Sequence, residues 1–234
     1  MYEAVHAHPD GDSTVARFAA TAASAGYDGV VVRSRSDARP DVDRDAVADE
    51  YGVDVVDGVE LDAADVPQAS GAIAGLRSEA TMLVVRGGTP ELNRFVAESP
   101  RADVLAGPMR GSGDVNHVVV KAAKRNAVHV EFDFSRVLRA SGGERVQALR
   151  GLRKLRELVD HYDAPFVVSA DPDSHLELRA PRELLAVGEE IGFDRDRVRA
   201  GLEAWGELAE RNRHRTSEEF ITTGVERGRY EEDS

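Results

Sequence analysis

The sequence predicts an α/β chain in which seven parallel strands, each followed by a helix, close into a barrel within a single domain. Three observations predict it. Short β-rich runs alternate with helical stretches along the whole chain. Runs such as GVVVR (29–33) and PFVVS (165–169) are continuously apolar, as strands covered on both faces are. No Gly-x-Gly-x-x-Gly opens a helix, which leaves an open doubly wound sheet as the second choice.

The strands are read at 2–6, 29–33, 53–60, 81–86, 103–105, 128–132 and 165–169. The helices are read at 12–25, 42–51, 66–77, 90–98, 114–126, 143–162, 181–192 and 195–212. Asp12 or Ser13 is expected to cap the first helix, and Gly26 to stop it. Thr89-Pro90 and Ala180-Pro181 have the pattern of a cap followed by a first-turn proline. In a parallel barrel, functional side chains gather where strands end. Those ends read His6/His8, Arg33/Arg35, Glu60, Arg86, Gly107-Pro108, Glu131/Asp133 and Ser169/Asp171. The domain is expected to run over 1–215. The polar stretch 216–234 is expected to be a mobile tail.

Composition narrows the function classes. The 234 residues include no cysteine, which removes disulfides, thiol catalysis and cysteine-based zinc sites together. The opening MYEAVHAHPD lacks the basic and apolar regions of a secretory signal, and no run approaches the roughly 18 apolar residues of a membrane span. A cytoplasmic, membrane-free protein is expected. The net charge of −13 is spread along the chain, as on a salt-adapted surface that stays hydrated in brine; the alternative is one acidic interaction patch. At molar salt the Debye length falls to roughly 3 Å, so only close charge contacts matter there.

Charge is nevertheless uneven. Eleven acids stand against Arg39 and Arg44 between Asp37 and Asp65. Between His117 and Glu157 ten lysines and arginines stand against four acids, and a second basic knot lies at 211–215. A basic island in an acidic chain points to phosphate contact, because arginine holds phosphate through paired, short-range hydrogen bonds. The bland alternative is a solvated basic helix face. The linear sequence displays no aromatic stacking platform for single-stranded bases.

Two constellations can be weighed. His6, His8, Glu60, Glu131, Asp171 and His175 would supply nitrogen and carboxylate donors of the kind zinc or manganese takes, at one end of the barrel. This layout resembles the PHP family of metal-dependent phosphoesterases, with His-x-His on the first strand, Gly58-x-Glu60 and a late Ser169-x-Asp171 segment. The match is partial. His175 follows Asp171 by four residues rather than two, and Gly107 stands where that family has a histidine.

The fuller resemblance is to archaeal and eukaryotic ribonuclease P protein component 3. It is carried by VVRGGTPELNRFVAES (84–99), DVLAGP (103–108), NHVVVKAAKRNAVHVEFDFSRVL (116–138), the segment 152–184 with its Leu178-Arg179-x-Pro181-Arg182, and the terminal NRHR (212–215). The early GYDGVVVRS (26–34) agrees as well. The resemblance implies a TIM-barrel-like, PHP-related fold. It also implies a place in the ribonucleoprotein that removes 5′ leaders from precursor tRNA. On that reading the catalytic groups lie in the RNA, with its magnesium, and none lies in this chain. No cofactor or metal is expected on the protein itself. The expected partners are the ribonuclease P RNA, protein component 2, the other holoenzyme proteins and precursor tRNA. The candidate RNA contacts are Arg33, Arg86, Arg94, Arg110, His117, Lys121, Arg125, Arg179, Arg182 and Arg213. The competing reading is a free-standing PHP-type phosphoesterase using the six metal candidates.

Overall fold

The computed structural model describes residues 1–216 in full and, beyond them, only the backbone of two short antiparallel strands at Phe220–Thr222 and Val225–Glu226. The mobile tail expected over 216–234 therefore falls largely outside the described residues.

Seven strands and nine helices alternate over 1–216. They are β1 (Tyr2–Val5), α1 (Val15–Ala25), β2 (Gly29–Arg35), α2 (Arg44–Tyr51), β3 (Asp54–Leu61), α3 (Val66–Leu76) and β4 (Met82–Arg86). Then come α4 (Pro90–Ala97), β5 (Val104–Ala106), α5 (His117–Asn126), β6 (His129–Asp133), α6 (Ser135–Arg139) and α7 (Gly142–Tyr162). The chain continues with β7 (Phe166–Ser169), a single 3-10 turn at His175–Glu177, α8 (Pro181–Ile191) and α9 (Arg195–Thr216). The strands pair in sequence order and all in parallel, with registers such as Arg35 opposite Glu60 and Glu131 opposite Val167.

β7 returns beside β1 to make a nearly closed barrel. At this seam His6 N–H donates to Pro172 O at 3.0 Å. The Glu3 carboxylate accepts from Ser169 Oγ at 2.6 Å and from Ala170 N–H at 3.2 Å. α9 packs along β7 and β1, where Trp205 Nε1–H donates to Val168 O at 2.9 Å. Its C-terminal half crosses the N-terminal end of the barrel. Arg211 pairs with Asp103, Asn212 Nδ2 donates to Thr81 O, and Arg213 pairs with Asp54.

Strand period sets what the interior contains. Ala4, Val31, Val56, Met82, Val84, Val104, Ala106 and Val167 share one face and form an inner core with Trp205 and Leu208. The intervening residues, such as Val30, Val32, Val55 and Val85, join the outer core against the helices. His6, Arg33, Glu60 and Arg86 have the inner parity, two residues or a multiple of two along their strands. The interior is therefore apolar at the strand starts and charged at the strand ends.

Two local readings change. The first helix is capped by Thr14, whose hydroxyl accepts from Arg17 N–H, and not by Asp12 or Ser13. Ser13 instead accepts from His175 N–H and bonds His175 Nδ1, tying the 3-10 turn to the start of α1. α6 was not expected; it is five residues long and opens without a side-chain cap. Gly26 ends α1 in the left-handed conformation, and Thr89 caps α4, as expected.

Candidate functional site

The charged end of the interior is built around Arg33, which is 1% exposed. Its Nε and Nη2 lie 2.8 and 2.5 Å from Glu60 Oε2, and its Nη1 lies 2.6 Å from Glu131 Oε1 and 3.0 Å from Asp171 Oδ1. Arg86, at the end of β4, adds a second guanidinium to Glu60, with Nε at 2.7 Å from Oε1. Arg110, from the loop after β5, reaches back over the mouth to bond Asp133 at 2.9 Å and the second oxygen of Asp171. His6 Nε2 is 2.5 Å from Asp171 Oδ1, and Gly107 N–H donates to Glu131 Oε2 at 2.9 Å.

The carboxylates answer to these neighbours. Burial pushes the Glu60 carboxyl up, but Arg33, His6 and Arg86 outweigh it and hold it at about 2. Burial also works against ionisation of Asp171, and Arg33, His6 and Arg110 overcome it, leaving it well below the usual range. Glu131 goes the other way: burial raises it, and the nearby carboxylates add to that against Arg33. Burial opposes charge on Arg33, yet Glu131, Glu60 and Asp171 keep the guanidinium charged.

The six metal candidates do not make a working donor set. Glu60, Glu131 and Asp171 are each engaged by guanidinium, and His6 by Asp171. His175 turns away to Ser13, and His8 is half-buried with Nδ1 unpaired. Among the described residues no group of three or more acidic or histidine side chains is arranged to hold an ion. The residues present do not fit the multi-metal centre that the PHP layout implies. Gly107 shows why at one position. It has φ +52°, and a Cβ there would stand 2.8 Å from Arg110 Cδ. A histidine at 107 and Arg110 in its present place exclude each other.

The ten RNA candidates divide. Arg33, Arg86 and Arg110 come together at the mouth, but Arg33 is buried with its donors occupied by carboxylates, so it presents nothing to a phosphate. This corrects its reading as a surface contact. His117, Lys121 and Arg125 lie four residues apart on one exposed face of α5. Arg94 pairs with Glu98 along α4, and Arg179 donates to the carbonyls of Leu176 and Leu178. Arg182 is exposed on the first turn of α8. Arg213 lies at the opposite end of the barrel, with both outer nitrogens 2.8 Å from Asp54.

Between α5 and α7 runs a groove of about 410 Å³ lined by His117, Lys154, Leu158, His161 and Tyr162. The His161 and Tyr162 rings meet edge to face at 4.6 Å, and Lys121 Nζ stands 4.9 Å above the Tyr162 centroid. The linear sequence does not display this aromatic and cationic grouping, because its members come from helices some forty residues apart.

Sequence reasoning passed over two residues. Buried Asn93 accepts from Gly88 N–H and donates to Pro108 O and Asp114 O, tying the Arg86-Gly87-Gly88 loop to the loop after β5. Gly87 is required there, since a Cβ would lie 2.1 Å from Asn93 Oδ1. Arg139, on the unexpected α6, donates to Ala170 O and Asp171 O and pairs with Glu177, which fixes the loop carrying Asp171. With Arg86, Arg110 and the exposed Arg136 it lines a cavity of about 430 Å³ at the mouth.

Residues 1–217 match the family described as RNase P subunit p30. The chain is 64% identical to "Ribonuclease P protein component 3" of Halobacterium salinarum, with 100% of both chains covered. It is 63% identical to the protein of that name from Natronomonas pharaonis, over 96% of this chain and 94% of the relative. Identity to the Methanosarcina barkeri protein of the same name is 32%, over 95% and 92%. Among solved structures, a chain of an archaeal ribonuclease P with mature tRNA superposes with TM-score 0.83 at 20% identity over 100% of both chains. A zinc-containing histidinol phosphate phosphatase from Lactococcus lactis superposes with TM-score 0.54 at 8% identity, over 82% of this chain and 94% of that one. These two likenesses concern the fold.

Proposed function

The chain belongs to the RNase P subunit p30 family, and from that premise we propose that it acts as a structural protein of ribonuclease P, pairing with protein component 2 and holding the catalytic RNA in its active shape. Its substrate is then the holoenzyme's, precursor tRNA, whose 5′ leader is removed by RNA-borne chemistry using magnesium. The proposed setting is the cytoplasm; among the described residues no helix is long and apolar enough to cross a membrane.

One observation carries the reading. The acids at the mouth are held by the chain's own arginines, whereas eight of the ten cations of the basic island stand on α5 and α7, away from the mouth, and only Arg136 and Arg139, on α6, lie beside it. A hydrolase barrel keeps its charged donors open to a ligand at the strand ends. Here those donors are closed, and most of the exposed charge of the island lies on α5 and α7. His117, Lys121, Arg125 and the groove beside them offer phosphate donors next to rings on which an unpaired base can stack. Arg182 and Arg136 are further exposed cations.

Reconstitution tests the proposal. The RNA subunit cleaves precursor tRNA with component 2 and with or without this chain, across a magnesium titration. Adding the chain is expected to restore cleavage at lower magnesium, while the chain alone cleaves nothing. No change in the magnesium requirement overturns the proposal.

A further inference from the structure

Glu3 and Tyr27 form a buried polar pair beside the β1–β7 seam, and the pair meets more acceptors than it has protons. Glu3 is fully buried and meets no cation. Among the described residues its carboxyl is bonded by Ser169 Oγ, by the N–H groups of Ala4 and Ala170, and by the Tyr27 phenol. Tyr27, itself buried, stands between two acceptors. Its Oη lies 3.3 Å from Glu3 Oε2 and 2.8 Å from Arg179 O, in the segment that joins the 3-10 turn to α8. No other donor reaches Arg179 O among the described residues. A phenol has one proton to donate. Burial and the neighbouring Glu3 push the ionisation of Tyr27 well above its ordinary value, so that proton stays on the phenol.

Two arrangements of the hydrogens follow. With Glu3 protonated, its O–H donates to Tyr27 Oη and Tyr27 donates to Arg179 O, so every group is satisfied. With Glu3 ionised, the carboxylate takes the phenol proton and Arg179 O is left without a donor. We propose that Glu3 and Tyr27 form a one-proton switch, which ties the 176–180 segment to the barrel wall when Glu3 is protonated and unties it when Glu3 ionises. The segment's other bonds show why one tie matters. Arg179 Nη1 donates to Leu176 O and Leu178 O, and Ala180 N–H donates to Glu183 Oε2, all within the segment and the first turn of α8. Arg139 holds Glu177 from the α6 side, and Tyr27 supplies the bond from the side of β1 and β2.

Few charges surround the pair. Glu183 of α8 bears on the phenol, and α1 buries only apolar side chains. Asp171 follows Ala170, but its carboxylate turns to Arg33, Arg110 and His6 at the mouth. α9 presents Trp205 to Val168 O. Burial therefore pushes the Glu3 carboxyl up to about 7 against its four neutral donors. The tie is present below that pH and is lost as pH rises through it. The exposed Leu176 and the neighbouring Arg182 then stand on a backbone whose order depends on one buried proton. This inference is read on the chain alone and does not depend on RNA binding.

Amide hydrogen exchange of the full chain between about pH 5.5 and 8.5 tests the switch, with each rate referred to the unstructured peptide at the same pH so that the intrinsic pH dependence drops out. Protection over 176–180 is expected to fall by roughly fivefold as pH rises through about 7, the effect of losing one neutral hydrogen bond. Glu3→Gln keeps an oxygen for Ser169 and Ala170 and offers an N–H to Tyr27 Oη, so its protection there should stay high at every pH. Tyr27→Phe removes the tie, so its protection should be low and equally flat. The carboxyl carbon of Glu3, followed by carbon-13 NMR in the unsubstituted chain, should titrate with the same midpoint, and this measurement needs no variant to fold. Protection over 176–180 that ignores pH in the unsubstituted chain overturns the proposal. A Glu3 midpoint below about pH 5.5, in the ordinary glutamate range, overturns it too. So does an undiminished pH-dependent loss in Glu3→Gln or Tyr27→Phe, which would place the titrating group elsewhere.

Discussion

The barrel mouth and the outer face of α5 and α7 are both rich in arginine or lysine, and they use it in opposite ways. At the mouth, Arg33, Arg86 and Arg110 neutralise four carboxylates contributed by β3, β6 and the loop after β7. On the outer face, His117 and Arg125 have no carboxylate partner among the described residues, and Lys121 stands over a tyrosine ring. Burial makes the difference. In a dry site an uncompensated charge costs several kcal/mol, so cation and anion must come as a set, whereas on the surface water supports each charge alone. Residue type therefore says little about role here until the face of the strand or helix is known.

The largest way to break the comparison is to remove the central cation. Arg33→Met leaves three buried carboxylates short of a partner, and a loss of roughly 3–5 kcal/mol is expected in denaturant unfolding. A loss below 1 kcal/mol would mean that the mouth holds its shape without its ion pairs.

A second measurement sharpens the comparison by contrasting two buried carboxyls. Arginine partners outweigh burial at Glu60 and hold it at about 2. Glu3, fully buried in the β1–β7 seam, accepts only from neutral donors in Ser169, Ala170, Ala4 and Tyr27, and burial pushes it to about 7. Since the native state then binds a proton more tightly than the unfolded chain, protonated Glu3 favours the fold. That stability is fully present below about pH 4.5 and is lost as pH rises through about 7. The shift corresponds to roughly 3 kcal/mol. Glu3→Gln keeps an acceptor toward Ser169 and Ala170 and has nothing to ionise. Its stability relative to the unsubstituted protein should therefore rise across pH 4.5–7. A constant difference between the two proteins over that window would show that Glu3 does not titrate there.

Much of this was legible in the sequence, and what was not has physical causes. Short β-rich runs alternating with helical stretches placed all seven barrel strands, because strands buried on both faces stand out as continuous apolar runs between helices. α6 escaped because five residues carry too little periodicity to distinguish a helix from a turn. The cap of α1 was misplaced because Asp12, Ser13 and Thr14 are all good caps, and the choice was made by a distant residue, His175, which engages Ser13. At the mouth, the strand-end acids were singled out, yet Arg33 was read as an RNA contact. The missing signal was parity: Arg33 lies two residues beyond Val31, on the inner face, and several acids end the neighbouring strands. Asn93 was hidden because its importance comes from two loops that meet only in three dimensions.

A smaller effect comes from crowding the mouth from above. Gly107→Ala places a Cβ 2.8 Å from Arg110 Cδ at a residue with φ +52°. A loss of roughly 1–3 kcal/mol is expected from backbone strain and displacement of Arg110. Arg110→Ala in the same background should recover part of it, because the clash is with that side chain. If the two losses simply add, Arg110 does not fill the space above Gly107.

The smallest effect on folding is expected at the outer face, and it tests the other half of the comparison. His117→Ala, Lys121→Ala and Arg125→Ala remove exposed groups, so each should change stability by no more than about 0.5 kcal/mol. Their effect should appear in RNA binding. In molar salt, phosphate attraction at long range is screened, and contact there depends on short hydrogen bonds and stacking. Binding of the ribonuclease P RNA, measured with component 2 present, should weaken by roughly fivefold or more for the triple substitution, at about 1 kcal/mol of lost contact. Adding His161→Ala should weaken it further at high salt as well as low, since stacking survives screening. A triple variant that folds normally and binds RNA as tightly as the unsubstituted chain would move the interface off α5 and leave its cations as an ordinary solvated helix face.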